Sequence, residues 1–238
     1  MKRFYKETSV EAAEDGYRVL LDGRPVRTPA KTVLVVPTRP LAEAIAREWA
    51  EVPPAGELKV DQLPLTRLAA TGLDRVRPQR QRVVDDTAKY AASDMLCYRA
   101  VGPGPLVERQ SRLWQPLLDW AERRYAARLA ATAGTTFVTQ PDEALARLAA
   151  AVGAHGDMAL SALYNLTHVA GSLVIALAVS EGSLGAEDAF AAAQLDELYQ
   201  IERWGEDPIA TRRHEGIRRD IEAAARFLAL LADKRLGA

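Results

Sequence analysis

Cysteine is almost missing from this sequence: Cys97 is the only one in 238 residues. A single thiol cannot close an intramolecular disulfide, so stability has to come from a packed core. Histidine is nearly as scarce. His155, His168 and His214 lie far apart, with no H-x-x-H or H-E-x-x-H spacing, whereas a zinc centre needs three or four converging nitrogen or sulfur ligands. No G-x-x-x-x-G-K-[ST], G-x-G-x-x-G or G-x-S-x-G occurs either, which removes the common phosphate-binding and nucleophile signatures. VGPGP (Val101–Pro105) is glycine-rich, but its prolines lack the amides that cradle a phosphate. A net charge of −1 and a pI near 6.3 give no overall field that would favour nucleic acid or an anionic membrane.

The opening residues, MKRFYKETSV, carry no apolar h-region or Arg/Ser-rich transit pattern, so no targeting segment is expected. One uncharged run, Met158 to Ser180, is long enough to span a bilayer. It also contains Ser161, Asn165, Thr167, His168, Gly171 and Ser172, and the polar ones among them are expensive against lipid. A central helix buried by other helices is expected, with no membrane insertion.

What is present is a globular composition, 48% hydrophobic and 26% charged, of a length suited to one or two domains. The basic residues are overwhelmingly arginine. RVRPQRQR (Arg75–Arg82) leads directly into Asp85 and Asp86 without an interleaved aromatic, which reads as a solvated helix start rather than an RNA patch.

The fold class is read as α+β: a small N-terminal α+β domain over residues 1–77, then a larger, mainly helical domain over 78–238. In GYRVLLDGRPVRT, Asp22-Gly23 between two apolar runs predicts a type I′ hairpin, with Tyr17, Val19 and Leu21 on one face. Pro25 places the second strand at an edge. KTVLVVP is a third strand, apolar enough to be covered on both faces. Thr38 is expected to cap a helix in which Leu41, Ile45 and Trp49 recur at i+4 and pack on the sheet. Thr66 is expected to open the next helix.

Beyond Pro78 the pattern is helical. Pro116 is expected to kink or restart a helix, TTFVTQ to be extended, and Pro141-Asp142 to open a helix. Met158–Ser180 and Ala186–Gly205 each read as one helix, and Asp207-Pro208 as an N-cap with proline at the first helical position.

Candidate chemistry is thin. Cys97 in DMLCYRA has no histidine nearby in sequence and reads as a buried structural thiol. Asn165, His168 and Ser172 would share a helix face, as a polar pocket or as interhelical hydrogen bonds. The densest cluster is LDELYQIERWGEDP (Leu195–Pro208). On a helical wheel Leu195, Leu198, Tyr199 and the stem of Glu202 face the core, with Asp196, Gln200 and Arg203 to one side. Glu197 and Trp204 fall opposite, and Ile201 leans toward them. An outward tryptophan beside a carboxylate suits protein docking. The alternative is an enzyme or small-ligand binder that uses the acidic cluster at 196–207 with His168 and Arg99, which would require those groups to converge in a cleft.

RFYK (Arg3–Lys6), GYRVLLDGRPVRTPA, LAEAIAREW, LPLTRLAATGLDRV, DMLCYRA, RQSRLWQPLLDW and LDELYQIERWGEDP follow one another in this order. In them the chain resembles, nearly end to end, the assembly chaperone of the F1-ATPase that binds the α subunit, a family of mitochondria and α-proteobacteria. The resemblance implies a holding chaperone without catalytic activity; a monomer without metal or cofactor is expected. Its partner is the free F1-ATPase α subunit, whose β-facing surface it covers until the β subunit displaces it. As no presequence is read here, a bacterial, cytoplasmic member is expected. The family's acid/aromatic segment falls on Asp196, Glu197, Tyr199, Gln200, Glu202, Trp204, Gly205, Glu206 and Asp207. The candidate protein-binding residues are Asp196, Glu197, Gln200, Ile201, Trp204, Glu206 and Asp207, while Trp49 is assigned to packing.

Overall fold

The computed structural model describes residues 3–54, 56–57, 60–205 and 207–232. The chain divides into two compact units: Met1–Arg80 with Gly156–Ala162 and Arg226–Ala238, and Gln81–His155 with Leu163–Ala225. This division differs from a single cut between residues 77 and 78, because two short later segments belong to the first unit.

In the first unit, β1 (Thr8–Ala13) pairs antiparallel with β2 (Gly16–Leu21), from Thr8 opposite Leu21 to Ala13 opposite Gly16. β3 (Arg24–Pro25) returns along β2 after a two-residue turn, and β4 (Val35–Val36) pairs with β2 at Tyr17 and Arg18. Asp22 and Gly23 have φ of 48° and 75°, the left-handed values that a type I′ turn requires and that glycine adopts most readily. The exposed Asp22 carboxylate accepts hydrogen bonds from the Glu7 and Lys6 amides, which hold its pKa below the usual range. β1 was not foreseen. Its sequence, TSVEAA, is polar because the strand is an edge with little buried surface.

α1 (Arg39–Glu51) packs on β1 and β2; its Leu41 and Ile45 are fully buried and Trp49 nearly so, with the Trp49 ring edge-on to Tyr5 at 5.7 Å. Thr38 precedes it but does not cap it with its side chain. Its Oγ1 donates instead to the Leu230 carbonyl at 2.7 Å. Glu48 is the unexpected member of this helix: a buried carboxylate in an apolar layer. It accepts from the Leu65 amide at 2.6 Å, the Thr66 amide at 3.0 Å and Thr66 Oγ1 at 2.9 Å. It therefore caps α2 (Pro64–Thr71) from outside that helix, satisfying amides that have no intrahelical partner. α2 accordingly begins at Pro64, where the missing N–H costs nothing, and not at Thr66. Trp49 Nε1 completes the junction by donating to Thr66 Oγ1 at 3.1 Å.

The second unit is built largely of helices. α3 (Arg80–Ala88), which begins on the last residue of the first unit, is followed by α4 (Gly104–Tyr125) and α5 (Asp142–Gly153). α6 (Asp157–Ala170) and α7 (Leu173–Ser180) come next, then α8 (Ala186–Ala193), α9 (Leu195–Trp204) and α10 (Pro208–Ala232). The first residues of α6 and the last of α10 belong to the first unit. Pro116 lies inside α4 without ending it. TTFVTQ, expected to be extended, is neither helical nor paired as a strand. The short extended pieces are β5 (Tyr98–Arg99) and β6 (Thr132–Ala133), paired in parallel.

Two helices expected to be single are broken. Met158–Ser180 divides at Gly171, with φ of 68°, so Ser172 leaves the helix face shared with Asn165 and His168 and instead caps α7. Its Oγ accepts from the Ile175 amide at 3.1 Å. No described helix is long and apolar enough to cross a membrane. Ala186–Gly205 divides at Gln194, whose φ and ψ of −111° and 20° are non-helical.

The first break is organised by Asp94, which is fully buried. Its Oδ2 accepts from Ser172 Oγ at 3.0 Å and the Val174 amide at 3.1 Å, and its Oδ1 from the Leu96 amide at 3.1 Å. Burial pushes its pKa up to about 6 against those hydrogen bonds. The adjoining Cys97 is also buried, and its thiol is pushed up to about 12, chiefly by desolvation. It is an inert packing residue, as its surroundings in sequence suggested.

Glu48→Ala should lower unfolding stability by about 2–3 kcal/mol in urea denaturation, because it leaves two α2 amides and the Thr66 hydroxyl proton without an acceptor. For Asp94 the folded pKa lies above the ordinary value of 3.8, so the folded state binds the extra proton. Its favourable contribution is complete below pH ~4 and is lost as pH rises through ~6. Relative to Asp94→Asn, wild-type stability should therefore fall between those pH values when melting is followed at each.

Candidate functional site

α9 runs from Leu195 to Trp204, and what fixes it is α4. Leu195 and Tyr199 are buried, and Leu198 and Ile201 are half-buried. Arg109 on α4 grips Glu202 with two parallel hydrogen bonds, Nη1 to Oε1 and Nη2 to Oε2, each 2.8 Å. The same guanidinium lies 5.4 Å from the Tyr199 ring centroid. This pairing lowers the Glu202 pKa from its ordinary value, but both partners meet solvent, so its stabilising effect is small.

The next α4 residue does more. Gln110, only 1% exposed, donates from Nε2 to Asp196 Oδ1 at 2.7 Å and accepts the Ala100 amide on Oε1 at 2.7 Å. Arg99 Nη1 donates to the Gln110 carbonyl at 2.8 Å. One turn on, buried Trp114 donates from Nε1 to the Ala192 carbonyl at 2.9 Å, which anchors the end of α8 where α9 begins. The sequence reading missed Arg109 and Gln110. The available signal was Gln110 four residues before Trp114 in RQSRLWQPLLDW: a polar side chain on a buried stripe demands a partner.

The helical wheel is partly redrawn. Asp196, placed to one side, turns toward α4 and is half-buried. Glu202, whose stem was placed on the core face, is exposed and held by Arg109. Glu197 and Ile201 are half-buried, Gln200 is exposed, and Trp204 at the helix end is 73% exposed. The Glu197 carboxylate forms no ion pair or hydrogen bond among the described residues.

Gly205 ends the helix with φ of 91°, its amide bonded to the Ile201 carbonyl at 2.8 Å. Asp207 then caps α10: its Oδ1 accepts from the Ile209 amide at 3.1 Å and its carbonyl from the Thr211 amide at 2.9 Å. Just past that cap, Ile209 is 77% exposed. Glu206 lies outside the described residues.

The geometry thus separates residues that sequence had grouped. Asp196, Glu202 and Asp207 hold the helix ends in place. Glu197, Gln200, Ile201 and Trp204 are left available. His168 is exposed, its ring tilted against Tyr164 and Tyr90 with centroids at 4.0 and 4.9 Å, with Nδ1 on the Tyr164 carbonyl. Arg99 lies over Trp114. Neither of them, nor any residue from 195 to 205, lines the described cavities of about 630, 470 and 360 Å³. Among the described residues no group of three or more His, Cys, Asp and Glu could hold a metal ion.

Comparison with known proteins agrees with the order of motifs along the chain. Residues 2–122 match the family described as ATP12 chaperone protein. The crystal structure of Atp12 from Paracoccus denitrificans superposes with a TM-score of 0.90 at 37% identity, covering 97% of this chain and 98% of that one. The Atu1473 protein of Agrobacterium tumefaciens gives 0.91 at 40% identity, over 97% of this chain and 86% of its own. The mitochondrial protein atp12 of Schizosaccharomyces pombe is 25% identical over 215 residues, 86% of this chain and 74% of the relative. A family match over half the chain, with near-complete overlap at these identities, means that the chain belongs to the ATP12 chaperone family.

Proposed function

We propose that this ATP synthase assembly chaperone holds the free F1-ATPase α subunit, as a monomer in the bacterial cytoplasm, and releases it to the β subunit. The observation that carries the reading is the exposed end of α9. Trp204 stands 73% exposed on a helix whose Asp196 and Glu202 are tied to α4, with Glu197, unpaired among the described residues, two turns earlier on the same helix. A large aromatic in the open, on a rigid element, is the arrangement of a binding hot spot. The neighbouring acid sets which partner surface is tolerated. An unassembled ring subunit exposes an apolar face made for its neighbour. Covering that face needs no nucleotide chemistry, since a better-binding subunit displaces the holder by mass action.

The contact residues in this reading are Glu197, Gln200, Ile201 and Trp204, with Glu206. Asp196 and Asp207 support them by fixing the two ends of the segment. Size-exclusion co-purification with isolated F1 α subunit, before and after adding β, tests the reading. A complex that β dissolves is the expected result, and absence of any complex between folded proteins rejects the α-subunit assignment.

Two classes of variant should then separate. Glu197→Lys and Trp204→Ala should each weaken α-subunit binding about tenfold or more, with stability changed by less than about 0.5 kcal/mol. Gln110→Ala should lower unfolding stability by about 2 kcal/mol, because it strands the Ala100 amide and Asp196. Urea denaturation beside binding titration reads out both.

A further inference from the structure

The segment KTVLVVP, expected as a strand throughout, is strand only at Val35–Val36 with an isolated bridge at Val33; it carries apolar side chains on two sides, and only one of them is buried in the core. Leu34 and Val36 are each 1% exposed, whereas Val33 and Val35, pointing the other way, are half-buried. Alternation along a strand makes this a two-sided element, yet the outward side lines a half-open groove of about 630 Å³ within the first unit. Pro37, Leu73, Met158 and Leu231 continue the apolar lining. A volume of this size is that of a ligand-binding cleft.

The opposite wall is supplied by a distorted helix. After α2 the chain makes a single π turn, Gly72–Val76, a local widening often found at functional sites. It puts Leu73 and then Arg77 on the groove. Gly72 allows this turn to lie against the start of α6: a Cβ there would sit 2.9 Å from Met158 Sδ and 3.3 Å from Met158 Cα.

Charge at the lips is uneven. Arg77 is paired with Asp157 at 3.4 Å, and Arg80 shares the same carboxylate at 2.8 Å. Glu14 and Asp15, in the β1–β2 turn at the rim, are exposed and form no ion pair among the described residues. An occupant meets apolar walls and two free carboxylates.

We propose that this groove is a second client-contact surface, which takes an apolar segment of the held subunit carrying an arginine or lysine beside it. The proposal rests on the chaperone reading above and assigns to the first unit a role separate from α9. Aliphatic side chains enter between Val33, Val35 and Leu73, and the basic group meets Glu14 and Asp15. Holding a client at two separate surfaces raises avidity without making either contact strong. It also leaves each contact weak enough for the assembly partner to displace in turn.

The sequence makes a direct test simple. Cys97 is fully buried, and burial raises its thiol pKa, so a cysteine introduced at exposed Thr32 on the groove rim is the only reactive one. Thr32→Cys carrying a photo-cross-linker is mixed with F1 α subunit, and adducts are mapped by mass spectrometry. Val35→Gln and the double variant Glu14→Lys/Asp15→Lys are titrated alongside Trp204→Ala, with melting curves for each. The expected result is an adduct on one apolar, Arg- or Lys-flanked segment of α, and a loss of affinity of about tenfold for each groove variant with unchanged melting. Full-strength α binding by folded groove variants, or adducts scattered over polar segments, overturns the groove while leaving the α9 reading intact. If wild type binds no α subunit, the α-subunit reading fails. The groove is then judged with a fluorescein-labelled valine/leucine peptide ending in arginine: saturable binding lost in Val35→Gln upholds it, and no saturable binding rejects it.

Discussion

Each compact unit is organised around one buried carboxylate that receives the free amides at the start of a helix. In the first unit Glu48, on α1, takes the Leu65 and Thr66 amides at the head of α2. In the second, Asp94 takes Val174 at the head of α7, together with the Ser172 hydroxyl. An isolated charge in an apolar interior would be prohibitive. A helix N-terminus offers unpaired donors and a favourable dipole in the same place. The two problems offset each other, and the result is directional: a carboxylate satisfied in this way fixes where the next helix begins and which way it points. The break at Gly171 follows from it, since an unbroken helix could not present Ser172 and Val174 to Asp94.

The same economy governs the candidate site. α4 extends two neighbouring side chains to α9, Arg109 to Glu202 near one end and Gln110 to Asp196 near the other. The exposed pair restrains weakly. The buried glutamine, which has both the Ala100 amide and Asp196 to satisfy, restrains strongly. Past these attachments Gly205 turns the chain and Asp207 restarts it as α10, so the exposed Trp204 sits between two fixed points. Rigidity at the base and exposure at the tip are what a surface needs to bind without a large ordering cost.

Much of this was legible in one dimension. Asp22-Gly23 dictated its turn, because few residue pairs accept two consecutive positive φ angles. The i+4 spacing of Leu41, Ile45 and Trp49 dictated a packed helix face. The exposed position of Trp204 could be read from a wheel. Other elements were hidden for identifiable reasons. β1 is polar because an edge strand buries little. The capping of α2 is supplied from α1, so no local pattern announces it. The breaks at Gly171 and Gln194 look like ordinary helix interior until a distant partner claims the backbone. The acidic segment at 196–207 was grouped as one site because sequence gives carboxylates no addresses.

By itself, then, the sequence determined the Asp22-Gly23 turn, the apolar stripes and the family, since each depends on residues close in the chain or on the order of motifs along it. Only tertiary structure decided which polar groups are partnered. It assigned Asp196 to Gln110, Glu202 to Arg109, Glu48 to α2 and Asp94 to α7, and left Glu197, Trp204 and the outer face of Val33 and Val35 unclaimed. The physical reason is that a polar or apolar group acquires its role from what replaces water around it, and those replacements come from residues far away in the chain.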